Sequence, residues 1–199
     1  MTENEITNVL SSSSINAEKK ENKIICERIT EVKEPSGLIK AISVVLKDTC
    51  EQTQFNKNEK LEIIEPFMTK KRLNFSIYEY LNHLYKYSET SEDIFIIMLI
   101  YIDRLKTNRK ICLNYFNIYT LILVAFIIAI KFNYDEFFSL DFYSKLGGVS
   151  QKELASLEYD FTTLLNFKFY VEEKIFTKYN NFLRTIDSDD EDCDYESDG

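Results

Sequence analysis

The chain has 199 residues, 45% of them hydrophobic and 29% charged, which is the make-up of a water-soluble globular protein with one core. Its net charge of -9 argues against nucleic acid as the main partner, because phosphate binding needs clustered Lys and Arg. Only 4 glycines and 2 prolines are present, too few for a turn-rich fold, whereas 15 Phe and 13 Tyr offer a core filled with aromatic rings.

Residues 1 to 35 are polar and weakly patterned, with SSSS at 11 to 14 and Pro35 as a boundary, and are expected to be a disordered or weakly structured tail. The start MTENEITNVL has neither the basic region nor the apolar core of a signal peptide. Cys26, Cys50, Cys112 and Cys193 form no CxxC pair, so reduced thiols in nucleus and/or cytoplasm are expected, with no disulfide framework. SGLIKAISVVLKDTCEQ then places apolar residues at 38, 39, 42, 45 and 46, a helical spacing, with Ser36 as N-cap. From NKNEK through EPFMTKKRLN a loop is expected, in which Lys70, Lys71 and Arg72 are solvated.

SIYEYLNHLYKYS predicts a helix with Ile77, Tyr80, Leu81, Leu84 and Tyr87 on one side. SEDIFIIMLIYIDRLK follows, its Ser91 and two acids suited to a helix N-terminus. LNYFNIYTLILVAFIIAIKF reads as one further helix. Its apolar run from Ile118 to Ile130 is 13 residues, interrupted by Thr120, and is shorter than the ~20 needed to cross a bilayer. A helix apolar on all sides belongs at the centre of a bundle, and no membrane partner is expected. DFYSKL is a short helix closed by Gly147 and Gly148. Ser150 and Glu153 suggest a capping box that opens a helix with Leu154, Leu157, Phe161, Leu164 and Leu165 on one stripe. EEKIFTKYNNFLR is an amphipathic closing helix, and DSDDEDCDYESDG, residues 187 to 199, is an acidic tail expected to be disordered. That tail holds eight acids and no base, leaving 25 acids against 24 bases, about -1, in the rest of the chain. Ser188 begins SDDE, a context suited to acid-directed kinases.

Catalysis finds no foothold in these residues. His83 is the only histidine, and no GxGxxG, GxxxxGK[ST] or HExxH pattern occurs. No cofactor, no metal site and no enzymatic activity are expected.

The residues at the helix ends are more specific than the helices. YIDRL at 101 to 105, AIKF at 129 to 132, YSKLGGVSQKEL at 143 to 154 and LEYDFTTLLNFKFYV at 157 to 171 occur in the order and at the spacing of a cyclin box. Over roughly residues 38 to 172 the chain resembles the cyclins, in particular the P-type or U-type branch associated with phosphate signalling. It departs from that branch where His83 replaces an Arg, Tyr119 and Thr120 replace His-Arg, and Leu140 replaces an Asn.

The resemblance implies an all-α fold, a single five-helix cyclin box with flanking N- and C-terminal helices, within residues 36 to 186. It implies a non-catalytic activator of a cyclin-dependent protein kinase, forming a heterodimer with it, in phosphate signalling or the cell cycle. An adaptor of the same fold that binds a partner without activating a kinase is the alternative; a small membrane-associated helical protein is a weaker third. In cyclins a lysine ending the third box helix and a glutamate near the start of the fifth hold the kinase C-helix region inward, and these map onto Lys131 and Glu158. By the helical 100° step Glu158 lies at the edge of its apolar stripe, near Thr162 and Leu165, which suits a partner-facing acid. Phe132, Phe167 and Thr162 complete the expected kinase-binding set. Asp103 shares a face with Ile96, Leu99 and Ile100 and is expected to be buried and structural, needing a partner. In cell-cycle cyclins that partner is an Arg in the first helix; Asn74 stands there, leaving His83 or Arg72 as candidates.

Overall fold

A computed structural model describes residues 37–55, 64–109 and 111–189. Among them it contains seven α-helices, one 3-10 turn and no strand. The helices are α1 (Gly37–Phe55), α2 (Ile77–Ser88), α3 (Glu92–Arg109), α4 (Ile118–Asn133), α5 (Leu140–Gly147), α6 (Gln151–Leu164) and α7 (Glu173–Asp189). The expected N-terminal tail, the Ser36 cap and residues 190 to 199 of the acidic tail lie outside the described residues. The backbone of α7 continues through Asp189, three residues into the acidic run. No described helix is long and apolar enough to cross a membrane.

Helices α3 and α4 make up the centre. Every residue from Ile94 to Ile102 and from Leu121 to Ile130 is buried, so neither helix has a solvent face along these spans. Each large side chain so buried contributes about 1.5–3 kcal/mol from the apolar surface removed from water. Phe95 of α3 meets Phe126 of α4 with ring centroids 4.9 Å apart, and Tyr85 of α2 stands edge-on to Phe95 at 5.8 Å. Around this pair, α1 packs on α2, α3 and α7, while α6 packs on α4 and α5.

Local chemistry sets the helix starts. Ser76 accepts the amide of Glu79 while the Glu79 carboxylate takes the Ser76 amide, a reciprocal capping box that opens α2. Ser139 caps α5 and Ser150 caps α6, each accepting from the third amide of its helix. Gly148 closes α5 in the left-handed conformation, φ 68°, where a Cβ is unfavourable. Gly147 serves a different purpose: a Cβ there would run into the Leu123 side chain, so its absence lets α5 lie close against α4.

Two sequence-based expectations need correction. The segment LNYFN does not belong to α4, which begins at Ile118. Its two asparagines bond their own loop instead. Asn114 Oδ1 accepts the Phe116 amide at 2.8 Å, Asn117 Oδ1 accepts the Asn114 amide at 2.9 Å, and Asn117 Nδ2 donates to the Cys112 carbonyl at 2.7 Å. Asparagine favours such local bonds over the helix, and this pair makes a turn that delays the start by five residues. The stretch EPF is also not plain loop. It forms a 3-10 turn over Glu65–Phe67 that buries Phe67 completely, edge-on to Phe161 of α6 at 6.2 Å.

Candidate functional site

α4 is buried at every position from Leu121 through Ile130 and then surfaces. Lys131 is half-buried, and Phe132, one position on, is 51% exposed. Against this end lies the outer edge of α6, whose stripe Leu154, Leu157 and Phe161 is turned to the core. Glu158 sits beside that stripe, so the packing that buries Leu157 and Phe161 carries Glu158 to the mouth of the α4–α6 junction. Lys131 Nζ donates to Glu158 Oε1 at 2.6 Å, with 31% and 17% of the two side chains still exposed. Around the pair an open groove of about 410 Å3 is lined by Ile128, Phe132, Ala155, Tyr159, Thr162 and Phe169.

The structure therefore brings Lys131, Glu158, Phe132 and Thr162 to one groove. Phe167 stands at its margin, 67% exposed, with its ring 6.4 Å from Phe169, which is in turn 5.5 Å from Phe132. Deeper in, Tyr143 is buried at the α5 side; burial pushes its phenol up to about 12, and the Glu158 charge adds to the shift. Among the described residues no group of three or more His, Cys, Asp or Glu could hold a metal ion.

Asp103 lies elsewhere, and its expected surroundings are corrected. It is only half-buried, and its partner is neither His83 nor Arg72. The Tyr179 hydroxyl of α7 donates to Asp103 Oδ2 at 2.6 Å. Burial first, and then the bond to this carboxylate, hold the Tyr179 phenol above its ordinary range. His83 Nε2 lies 3.2 Å from the Leu146 carbonyl, and the Arg72 guanidinium stacks 4.0 Å over the Tyr115 ring. Tyr179 comes from the closing helix, 76 residues away, and nothing in the local pattern marks it.

Other residues of the site escaped the sequence reading. Tyr159 and Phe169 line the groove, and Tyr101, Arg104 and Arg109 of α3 reach the loop that follows α6. Tyr101 and Arg104 are inside the quoted YIDRL, but they bond backbone carbonyls, and a carbonyl leaves no trace in the identity of the residue that carries it.

A family model described as Cyclin matches residues 6–169. The chain belongs to the cyclin family. Cyclin-U4-1 of Arabidopsis thaliana is 29% identical to it over 153 residues, covering 75% of each chain. PHO85 cyclin-7 of Saccharomyces cerevisiae is 34% identical over 139 residues, 64% of this chain and 49% of the relative. Cyclin-P3-1 of Oryza sativa is 32% identical over 106 residues, 53% of this chain and 45% of the relative. The aligned part thus spans three quarters of the first plant relative and about half of the other two. These likenesses are to the U-type, P-type and PHO85 cyclins, the branch whose motifs the sequence carries. As a cyclin the protein is regulatory and not an enzyme.

Proposed function

We propose that this cyclin binds and activates a cyclin-dependent protein kinase as a heterodimer, with the α4–α6 edge laid against the kinase C-helix region. The observation that carries the reading is the Lys131 to Glu158 pair, 2.6 Å long, set in an open groove beside an exposed phenylalanine. An ammonium has three donors and a carboxylate about four acceptor positions, so the mutual bond leaves both groups with capacity for a partner's backbone. Because the two charges already neutralise each other, covering them does not bury an isolated ion. Phe132, Phe167 and Tyr159 supply aromatic area of the kind that anchors interfaces.

A kinase helix held inward by this edge would complete the Lys-Glu ion pair that phosphoryl transfer requires, with all catalytic groups supplied by the kinase. Likeness to the PHO85, U-type and P-type cyclins supports this partner class and a role in phosphate signalling or the cell cycle. The proposed place of action is nucleus and/or cytoplasm.

The test is purification of the tagged full chain from its own cells, followed by a peptide phosphorylation assay on the kinase obtained. The kinase is expected to be nearly inactive alone and active with the cyclin, and the cyclin alone to transfer no phosphate. A kinase that binds with unchanged activity would replace activation by the adaptor reading. Failure of any cyclin-dependent kinase to co-purify would overturn both the partner and its role.

A further inference from the structure

Helix α6 has no glycine at its end. The chain leaves it through Asn166 and Phe167, both left-handed, with φ of 51° and 57°. Asparagine tolerates that region, but a phenylalanine there is a strained outlier that persists only where its surroundings enforce it. Here the surroundings are the closing bonds of α6, from the Asn166 amide to the Thr163 carbonyl at 3.0 Å and from the Phe167 amide to the Thr162 carbonyl at 3.1 Å, together with side chains from successive turns of α3. Arg109 Nε donates to the Leu164 carbonyl at 3.1 Å, and its Nη2 donates to Asn166 Oδ1 at 3.0 Å. Arg104 donates from Nη1 to the Lys168 carbonyl at 2.9 Å and from Nη2 to the Tyr170 carbonyl at 3.0 Å. Tyr101 adds its hydroxyl to the Phe169 carbonyl at 2.7 Å. Five side-chain bonds thus hold residues 164 to 170 from both ends of the strained pair.

What the strain achieves is the placement of a ring in water. Phe167 is 67% exposed, so neither its backbone conformation nor its surroundings favour the isolated fold. Two costs at one residue, enforced by two arginines, are the signature of a group ordered for something outside the chain. We propose that Arg104 and Arg109 are positioning residues that clamp residues 164–170, and that the clamp presents Phe167 as a preorganised aromatic anchor for the kinase. This rests on the kinase-facing reading of the α4–α6 edge. A ring ordered before contact does not have to be immobilised on binding, which is where preorganisation gains affinity.

The chain contains no tryptophan, so Phe167→Trp creates a single fluorescent reporter at the anchor. In the isolated full chain its anisotropy is expected to be high, and to fall when Arg104→Ala and Arg109→Ala are added. Equal anisotropy with and without the arginines would overturn the clamp, whether or not the kinase reading stands. In the second arm, binding to the co-purified kinase is measured on otherwise wild-type cyclin. Arg109→Ala is expected to weaken it about three- to tenfold by releasing the ordered side chain. Phe167→Gly is the decisive variant, because glycine accepts the left-handed backbone: its melting temperature is expected to rise while its kinase affinity falls about tenfold or more. A merely structural phenylalanine would move both in the same direction. If Phe167→Gly binds like wild type while Lys131→Ala abolishes binding, the anchor is wrong and the proposed function survives. If Lys131→Ala also binds like wild type, the kinase-facing edge itself is wrong, and with it the anchor.

Discussion

Two junctions of this cyclin are built on bonds of the same length between a carboxylate and another helix. At α3–α7, Tyr179 donates to Asp103; at α4–α6, Lys131 donates to Glu158; both are 2.6 Å. The first joins a neutral donor to an acid at a seam where α7 lies on α1 and α3. The second joins two full charges at a groove with exposed aromatic residues on its rim. A phenol is well suited to closing a seam, because its ring packs while its hydroxyl satisfies the acid. A charged pair suits an edge awaiting a cover, since its unused donors and acceptors are still solvated. Hydrogen-bond length thus says little about what a contact is for, and its surroundings say more.

The comparison breaks most visibly in binding. Lys131→Ala or Glu158→Ala is expected to cost about 2–5 kcal/mol of kinase affinity, because the remaining charge would be covered without its partner. Titration calorimetry with the purified kinase reads this directly. The same variants are expected to change the stability of the free protein by about 0–1 kcal/mol, as for other ion pairs open to water. A variant that unfolds would make the pair structural and erase the contrast between the junctions.

Tyr179→Phe should do the reverse. It removes the Tyr179 bond to Asp103 and leaves the acid half-buried, at an expected cost of about 1–2 kcal/mol, the low side for a bond to a charged group that solvent still reaches. That corresponds to about 2–8 °C in melting temperature for a chain of this size. Kinase affinity is expected to stay within a factor of about two. Equal losses of stability and affinity would show that α7 contributes to the kinase-facing edge.

A third measurement sharpens the contrast through pH. The Tyr179 phenol is raised from its ordinary 10.0 by burial and by Asp103, and burial pushes Tyr101 up to about 12. Folding therefore favours the protonated phenols. Their contribution is fully present below about pH 10 and is lost as pH rises through the folded-state values. Melting temperature should fall steeply above about pH 10, and less steeply in Tyr179→Phe. Indistinguishable alkaline slopes would mean that the Asp103 junction does not couple to the phenol's ionisation.

The smallest effect belongs to a pair with neither kind of surroundings. Lys145 and Asp141 pair within α5, four residues apart, with 70% and 48% of their side chains exposed. Lys145→Ala is expected to leave both melting temperature and kinase affinity unchanged within error. A measurable loss of affinity would extend the kinase-facing surface onto α5.

Much of this protein follows from the sequence by itself. An apolar run without a polar face can only be covered by neighbours, so the central place of Ile118 to Ile130 follows from composition and length. Leu154, Leu157 and Phe161 are spaced to share one helix face, which puts Glu158 at the stripe's edge before any neighbour is known. The ordered motifs carry the cyclin resemblance because side-chain identity is what a motif records. Tertiary structure alone decided what depends on the backbone or on distant chain. The asparagine turn before α4 shifts a boundary that periodicity placed five residues early. Phe67 is buried by a 3-10 turn too short to have a period. The Tyr179 bond to Asp103 and the arginine clamp on residues 164 to 170 join segments that meet only once the helices pack. Apolar spacing encodes which face of a helix is buried; it does not encode which carbonyl or carboxylate will lie opposite a given hydroxyl or guanidinium.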